Sequence, residues 1–197
     1  MDFETIAPAI PKFDGMKPYQ RIPFQFSLHI QKEEGGECEH ISFLADGTSD
    51  PRPKFLQVLK EGLGKKGSVL VYNQSFEKGV MNEGATAFPE FRVWYDENIE
   101  PRVKDLLDVF RDFSYYDPAQ KGSASIKKVL PVMSDLSYGD LEISEGMFAS
   151  NEYERVTYDT SVSDEDRSKV RENLEEYCGL DTLAEVEIVK KLQDVIG

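Results

Sequence analysis

The sequence has 197 residues, a length that suits one α/β domain with a single hydrophobic core. Hydrophobic residues make up 40% and charged residues 30%, and no apolar run approaches the ~18 residues of a membrane helix, which excludes a disordered chain and a membrane span. The net charge of −14 argues against broad electrostatic binding of nucleic acid, but it agrees with a site where acidic side chains hold divalent cations.

The pattern of apolar residues predicts a mixed α/β fold, with helices packed on a sheet. The N-terminal half predicts a loop over residues 7–23, a half-buried strand over 24–30, a returning strand over 39–45, a helix over 51–62, a buried strand over 68–72 and a helix after Asn73. The C-terminal half predicts a helical stretch over 90–112 that breaks at Pro101, a helix capped by Ser123 or Ser125 and ended by Pro131, a mixed region over 135–160, and a long helix capped by Ser163 with Gly179 as a candidate bend.

The first two acidic segments are candidates for metal chemistry. Asp2 and Glu4 are two residues apart on a predicted strand, so both carboxylates project from one face. Two adjacent negative charges repel unless a cation separates them, although such a triplet is more often an exposed strand end. Glu77 follows the buried strand in the first turn of the next helix, where it either joins a metal site or only favours the helix dipole.

The third acidic segment contains Tyr177 and Asp181. Because the two residues are four apart, they share one face of the last helix, and that face is otherwise apolar. An aspartate in apolar surroundings needs a cation or a hydrogen-bond donor, and a tyrosine one turn away can position a water. The alternative is a core tyrosine, with Asp181 capping the helix after Gly179.

The three segments together resemble the DnaQ-like, DEDD-type 3′→5′ exonucleases, whose pattern is Asp-x-Glu, then Asn-x-x-x-Asp after a later strand, then Tyr-x-x-x-Asp on a C-terminal helix. Tyr177 corresponds to the tyrosine (DEDDy) branch. The resemblance implies an RNase H-like mixed sheet flanked by helices and hydrolysis of DNA or RNA from a single-stranded 3′ end. It also implies two Mg²⁺ or Mn²⁺ ions, held by Asp2, Glu4, Glu77 and Asp181, with Tyr177 orienting the attacking water.

A closer resemblance covers nearly the whole chain. The segments DFETI, PYQRIPFQFSLHI, VLVYNQSFEK, AQKGSASIKKVLP, LSYGDLEI and YCGLDTLA are similar to an uncharacterised bacterial domain that often ends larger proteins carrying a RecB/Cas4-like nuclease region. This likeness implies that residues 1–197 form one domain, a fragment of a longer protein with an upstream nuclease domain as its partner. In the RNase H-like fold the first strand is central, and we expect it to begin several residues before Asp2.

The second motif departs from the superfamily pattern, since Glu77 stands where an aspartate is usual; Asp105 and Asp108 are the fallback ligands. The remaining candidates are expected to contact substrate. The helix near Ser123 and Ser125 would present N–H groups to a phosphate, with the side chains of Lys121, Lys127 and Lys128 beside it. Asn73 begins the second motif, and Phe76 or Phe3 would stack on the terminal base. Their alternatives are an ordinary solvated helix face and core packing.

Two other functions stay open. One is an RNase H-like module that has lost catalysis and docks nucleic acid or protein within a larger repair or defence protein, which Glu77 and the acidic surface favour. The other is a structure-selective endonuclease that uses the same metal site. The N-terminus lacks the basic and apolar regions of a secretory signal, and Cys38 and Cys178 are isolated, so we expect a cytoplasmic protein.

Overall fold

The computed structural model describes residues 1–33, 35–139 and 141–196. Its strands are β1 (Asp2–Ile6), β2 (Ile22–Gln31), β3 (Cys38–Leu44), β4 (Val69–Val71) and β5 (Val103–Asp105). Its helices are α1 (Arg52–Leu63), α2 (Gln74–Ala87), α3 (Arg92–Trp94), α4 (Leu107–Arg111), α5 (Ile126–Met133), α6 (Gly146–Tyr158) and α7 (Asp164–Ile196). The mixed α/β class predicted from the sequence is confirmed.

The strands form two small sheets. β1, β2 and β3 make an antiparallel sheet in that order, and β4 pairs in parallel with β5. The Met1 ammonium donates a hydrogen bond to the Leu70 carbonyl at 3.0 Å, so the two sheets meet where β1 approaches β4. The register of β1 against β2 shifts between Glu4 and Thr5, an irregularity of the kind that often re-aims side chains next to a functional site.

β2 is buried on both faces along most of its length, so the prediction of a half-buried strand is wrong for its central residues. Gln25 and Ser27 are each only 1% exposed. The reason is α7, which covers their face of the sheet: Gln25 Nε2 donates to the Leu174 carbonyl at 2.8 Å, and the Ser27 hydroxyl lies 2.5 Å from that of Thr182. Polar side chains there hydrogen-bond to the helix instead of to water.

The helical stretch predicted over residues 90–112 breaks at Pro101 as expected, but the prediction of one helix before the break is wrong, and the strand after it was not predicted. The chain makes short 3₁₀, α and π turns from Pro89 to Arg102 and then forms β5. Pro101 supplies no N–H to continue a helix, and Val103 has extended backbone angles (φ −66°, ψ 131°) that let it pair with β4. The 135–160 region contains α6, a helix that the sequence pattern did not separate from its surroundings.

Two predicted helix boundaries also change. α5 does not end at Pro131 but continues to Met133, because the last turn still closes through the Ser134 N–H and the Leu130 carbonyl at 2.9 Å. α7 begins as predicted, with the Ser163 hydroxyl accepting the Asp166 N–H at 3.1 Å, and it runs through Gly179 without interruption. Its 33 residues pack against β1, β2, α5 and α6.

Candidate metal centre

A cavity of about 350 Å³ opens where β1, α2, α5, α6 and α7 meet. Asp2 and Glu4 of β1 and Asp181 of α7 each offer a carboxylate oxygen there, and these oxygens all lie within 4.8 Å of one another. The structure thus brings together the first and third acidic segments of the sequence, which are about 180 residues apart along the chain. Glu77 of the second segment and Tyr177 line the same cavity.

The alternation of β1 decides which of its side chains reach the cavity. Phe3 points into the core, where it is 2% exposed and its ring packs edge-on against Phe55 at 5.1 Å between centroids. The Phe3 ring therefore agrees with core packing, the alternative to a contact with the terminal base. Asp2 and Glu4, on either side of it, both line the cavity.

Asp181 is held by a residue that the sequence analysis did not select. The Tyr138 hydroxyl donates a hydrogen bond to Asp181 Oδ1 at 2.5 Å, and its ring lies 6.5 Å from that of Tyr177. The Lys127 ammonium lies 5.7 Å and 5.8 Å from the centroids of these two rings. It also pairs with Glu145 at 3.0 Å, so one cation and two phenols border the carboxylates.

The carboxylates at this site resist ionisation. Burial, followed by the charges of Asp181 and Glu4, holds the pKa of Asp2 well above its ordinary value. Burial, with the Asp181 charge, likewise raises the pKa of Glu4 to about 8. The pKa of Asp181 rises only to about 6, because the hydrogen bond from Tyr138 and the charge of Lys127 oppose the effect of burial. Without a cation, burial and mutual repulsion therefore favour the protonated form of Asp2 and Glu4 at neutral pH.

Glu77 enters the cavity from the first turn of α2. It is 2% exposed, and its Oε2 has no hydrogen-bond partner among the described residues. Burial raises its pKa to about 8. Glu77 does not cap its helix, because Asp105 does so: the Asp105 carboxylate accepts the N–H groups of Asn73 and Gln74 at 2.9 Å and 3.0 Å.

The two fallback ligands are thus engaged elsewhere. Asp105 accepts a third N–H, from Leu107, at 3.0 Å, and Asp108 pairs with Arg111 on the surface of α4. Neither residue lines the cavity.

The carboxylate that joins the site in place of Asp105 and Asp108 is Glu185. It lies one turn after Asp181 on α7, and its Oε2 pairs with the Met1 ammonium. Glu185 follows Tyr177 by eight residues and Asp181 by four, and this helical spacing is the signal that would have found it.

The predicted substrate-contacting residues divide into two groups. Asn73, Phe76 and Lys127 line the cavity. Ser123 and Ser125 do not, and their place at the start of α5 is taken by Ile126 and Lys127. Ser125 precedes the first residue of α5, but its side chain makes no capping hydrogen bond. Lys121 and Lys128 are exposed and outside the cavity lining.

The donors of the site fit a hard divalent cation. Carboxylate oxygens are the ligands that Mg²⁺ and Mn²⁺ prefer, and no thiolate or imidazole lines this cavity among the described residues. The Oε2 atom of Glu77 supports a bound cation, because a buried carboxylate oxygen without a hydrogen-bond donor is destabilising unless a cation binds it. Asp2, Glu4, Asp181 and Glu77 are the residues that would hold it.

Comparison with known proteins identifies the family. Residues 1–125 match the family described as a domain of unknown function (DUF2779), and the chain belongs to that family. Asp2, Glu4 and Glu77 lie within the matched residues, whereas Tyr177 and Asp181 follow them. No solved structure matches the chain.

Three relatives are similar over nearly the whole chain. The uncharacterized protein MG366 of Mycoplasma genitalium is 28% identical over 99% of this chain and 32% of its own length. Its homolog in Mycoplasma pneumoniae is 26% identical over the same shares, and the uncharacterized protein UU173 of Ureaplasma parvum is 26% identical over 98% of this chain and 31% of its own length. The chain thus spans about a third of the length of the curated relatives it matches.

Within the described residues, no helix has the length and apolarity needed to cross a bilayer.

Proposed function

We propose that this chain is a metal-dependent nuclease domain of the RNase H-like type, a 3′→5′ exonuclease that hydrolyses phosphodiester bonds of DNA or RNA. The main support for the proposal is the cluster formed by Asp2, Glu4 and Asp181, whose carboxylate oxygens lie within 4.8 Å of one another. The independent support is the buried, unpartnered oxygen of Glu77 in the same cavity. Both features are costly in a site that never holds a cation.

The strand arrangement supports the RNase H-like fold. Across the two sheets the order is β3, β2 and β1, then β4 and β5, which is the order of one mixed sheet interrupted between β1 and β4. The hydrogen bond from Met1 N to the Leu70 carbonyl shows that the start of β1 lies beside β4, although the two strands do not pair. β1 is the edge strand of the three-stranded sheet on the side of β4, and this position supports the central place that the exonuclease resemblance gives to the strand carrying Asp2 and Glu4.

Two divalent cations, when bound, would activate the attacking water, neutralise the phosphate and stabilise the leaving 3′ oxygen. The chain's own groups do the rest. Burial and the charges of Asp181 and Glu4 raise the pKa of Tyr177, so its hydroxyl stays protonated and donates a hydrogen bond at the cavity. Tyr138 fixes the carboxylate of Asp181 by donating a hydrogen bond to its Oδ1. Lys127 places a positive charge on the cavity wall, where it favours an incoming phosphate.

The experiment is a digestion of a 5′-labelled single strand of DNA or RNA in the presence of MnCl₂. We expect a ladder that shortens from the 3′ end, and its loss in Asp181→Asn. The matched control is Asp194→Asn, which removes the charge of an exposed aspartate on the same helix. Cleavage of a circular single strand would identify an endonuclease instead. A folded chain that binds no Mn²⁺ and cleaves neither substrate would contradict the proposal and leave the docking module as the better account.

A further inference from the structure

Gly146 is the first residue of α6 and lies directly beside the carboxylates of the metal centre. A Cβ at this position would have as its nearest neighbours the two carboxylate oxygens of Glu4, at 3.5 Å and 3.7 Å, and the Tyr177 hydroxyl, at 3.9 Å. All three neighbours are polar oxygens of the proposed catalytic groups. The glycine therefore leaves a small space open beside them, which a side chain would enter.

Neither the backbone nor the packing of the protein requires a glycine at this position. Gly146 does not have a positive φ, and 3.5–3.9 Å is ordinary van der Waals contact for a Cβ. Glycine also favours a helix less than alanine does. The open space beside Gly146 therefore points to a ligand that enters the metal centre.

The start of α6 offers hydrogen-bond donors on this side of the cavity. α6 has 13 residues, and the N–H groups of its first turn have no acceptor within the helix. Glu145, the residue before it, makes no capping hydrogen bond through its side chain, and its carboxylate pairs with Lys127 instead. The Lys127 ammonium also donates to the Ser144 carbonyl, so a cation is fixed at the segment that leads into α6. Helix N-termini bind phosphate groups through such N–H groups, and a nearby cation favours the same ligand.

Two further observations connect the start of α6 with the metal centre. The Ser150 hydroxyl lies 2.8 Å from the Thr5 carbonyl oxygen and 3.0 Å from that of Gly146, so it ties the first turn of α6 to the strand that carries Glu4. The Oε2 atom of Glu77 lies in the same cavity lining, is buried and has no partner among the described residues. That oxygen calls for a cation in the cavity, and a cation there offsets the repulsion between the carboxylates and a phosphate.

We propose that Gly146 and the first turn of α6 form the subsite for the phosphate of the terminal nucleotide, whose non-bridging oxygens enter the space that a side chain at position 146 would fill. The N–H groups of this turn donate hydrogen bonds to the phosphate, and Lys127 adds its charge. The inference rests on the proposed function, because a phosphate approaches Glu4 only where cations neutralise the carboxylates. It moves the expected phosphate site from the start of α5, where Ser123 and Ser125 lie outside the cavity lining, to the start of α6.

The test is a calorimetric titration with thymidine or uridine 5′-monophosphate, the class of product that a 3′→5′ exonuclease releases, at saturating MnCl₂. We expect binding to the unaltered chain and an affinity lower by about tenfold or more in Gly146→Ala, the loss typical of a hydrogen bond to a charged group. The larger side chain of Gly146→Val should cost at least as much, whereas the affinity of Gly146→Ala for Mn²⁺ should be retained. Gly179→Ala is the matched control, because it adds the same methyl group to a helical glycine outside the cavity lining, where the His40 ring lies 3.8 Å away.

The outcomes separate this inference from the proposed function. Equal nucleotide affinity in Gly146→Ala and the unaltered chain would overturn the phosphate subsite, and so would an unaltered chain that cleaves the labelled strand but binds no nucleotide; the nuclease proposal would stand in both cases. An unaltered chain that binds no Mn²⁺ and cleaves nothing would overturn both. If Gly146→Ala loses affinity for Mn²⁺ as strongly as for the nucleotide, the methyl group disturbs Glu4 itself, and the phosphate subsite is contradicted. Thymidine, which lacks the phosphate, should bind weakly and equally to both chains, and a tenfold difference for thymidine would contradict a subsite for phosphate.

Discussion

The hydroxyl of Tyr138 donates a hydrogen bond to Asp181 Oδ1 at 2.5 Å, in a setting where both side chains are buried. Tyr138 belongs to the connection between α5 and α6, whereas Asp181 lies in the middle of α7. The bond therefore ties an irregular segment to the carboxylate that completes the metal centre. It also lowers the pKa of Asp181 against the effect of burial, so it keeps a ligand ionised where its neighbours are not.

Tyr138→Phe should consequently weaken metal binding without removing a ligand. Loss of a hydrogen bond behind a ligand typically costs ~10–100-fold in metal affinity, and we expect a decrease of about tenfold for Mn²⁺. The decrease should be larger at pH 6 than at pH 8, because the pKa of Asp181 rises when the donor is lost. The control is Tyr116→Phe, which removes the hydroxyl of an exposed tyrosine outside the cavity lining. Equal affinity in Tyr138→Phe at both pH values would contradict this role.

The metal-free protein should lose stability as the pH rises. The pKa values of Glu4, Glu77 and Glu185 are raised to about 8, 8 and 7 in the folded chain from 4.5, mainly by burial. The folded state therefore holds more protons than the unfolded state between about pH 4.5 and 8, and its stabilisation is lost across that interval.

A melting series in EDTA measures this effect. One pKa unit corresponds to ~1.4 kcal/mol and ~1 kcal/mol moves the Tm of a domain of this size by ~2–4 °C, so we expect Tm to fall by at least ~5 °C between pH 5.5 and 8. MnCl₂ should reverse most of the fall at pH 8, because it neutralises the ionised carboxylates. A Tm that is flat or rises over this interval in EDTA would show that the carboxylates are not protonated in the folded chain.

Much of this site was predictable from side-chain spacing alone. The i, i+2 spacing of Asp2 and Glu4 on a strand, and the i, i+4 spacing of Tyr177 and Asp181 on a helix, each specify one shared face. Local periodicity of this kind needs no tertiary information, and the structure brings both pairs to one cavity. The same rule extended by one turn predicts Glu185.

The rest depended on contacts between distant segments. Tyr138 reaches Asp181 through a connection with no helix or strand periodicity, so no spacing rule marks it. β5 has only three residues and exists because it pairs with β4, and this pairing outweighs the helical pattern of the residues around it. Ser125 was expected at the site because serine favours helix starts, yet the orientation of α5 presents Lys127 to the cavity instead.

Glu77→Gln should separate stability from metal binding. The substitution removes a buried charge whose Oε2 has no partner, so the metal-free protein should become more stable at pH 8, by an amount visible as a rise in Tm. The same change should weaken binding of Mn²⁺, because an amide is a poorer ligand than a carboxylate. Glu90→Gln, at an exposed position, should change neither property. Reduced stability together with unaltered Mn²⁺ affinity would place Glu77 in a purely structural role.

Lys127→Met should impair substrate binding more than chemistry. The Lys127 ammonium is the basic group of the cavity wall, half-buried and held beside the rings of Tyr138 and Tyr177. Its loss removes one phosphate contact, so KM for a single-stranded oligonucleotide should rise several-fold at saturating Mn²⁺ while kcat changes less. The slope of the logarithm of the binding constant against the logarithm of the salt concentration should become shallower by ~0.7, the value for one phosphate contact on a single strand.

Lys128→Met is the matched control, because Lys128 is exposed and outside the cavity lining. If both variants shift KM and the salt dependence equally, the positive charge acts through the general field of α5 and not through a contact at the metal centre.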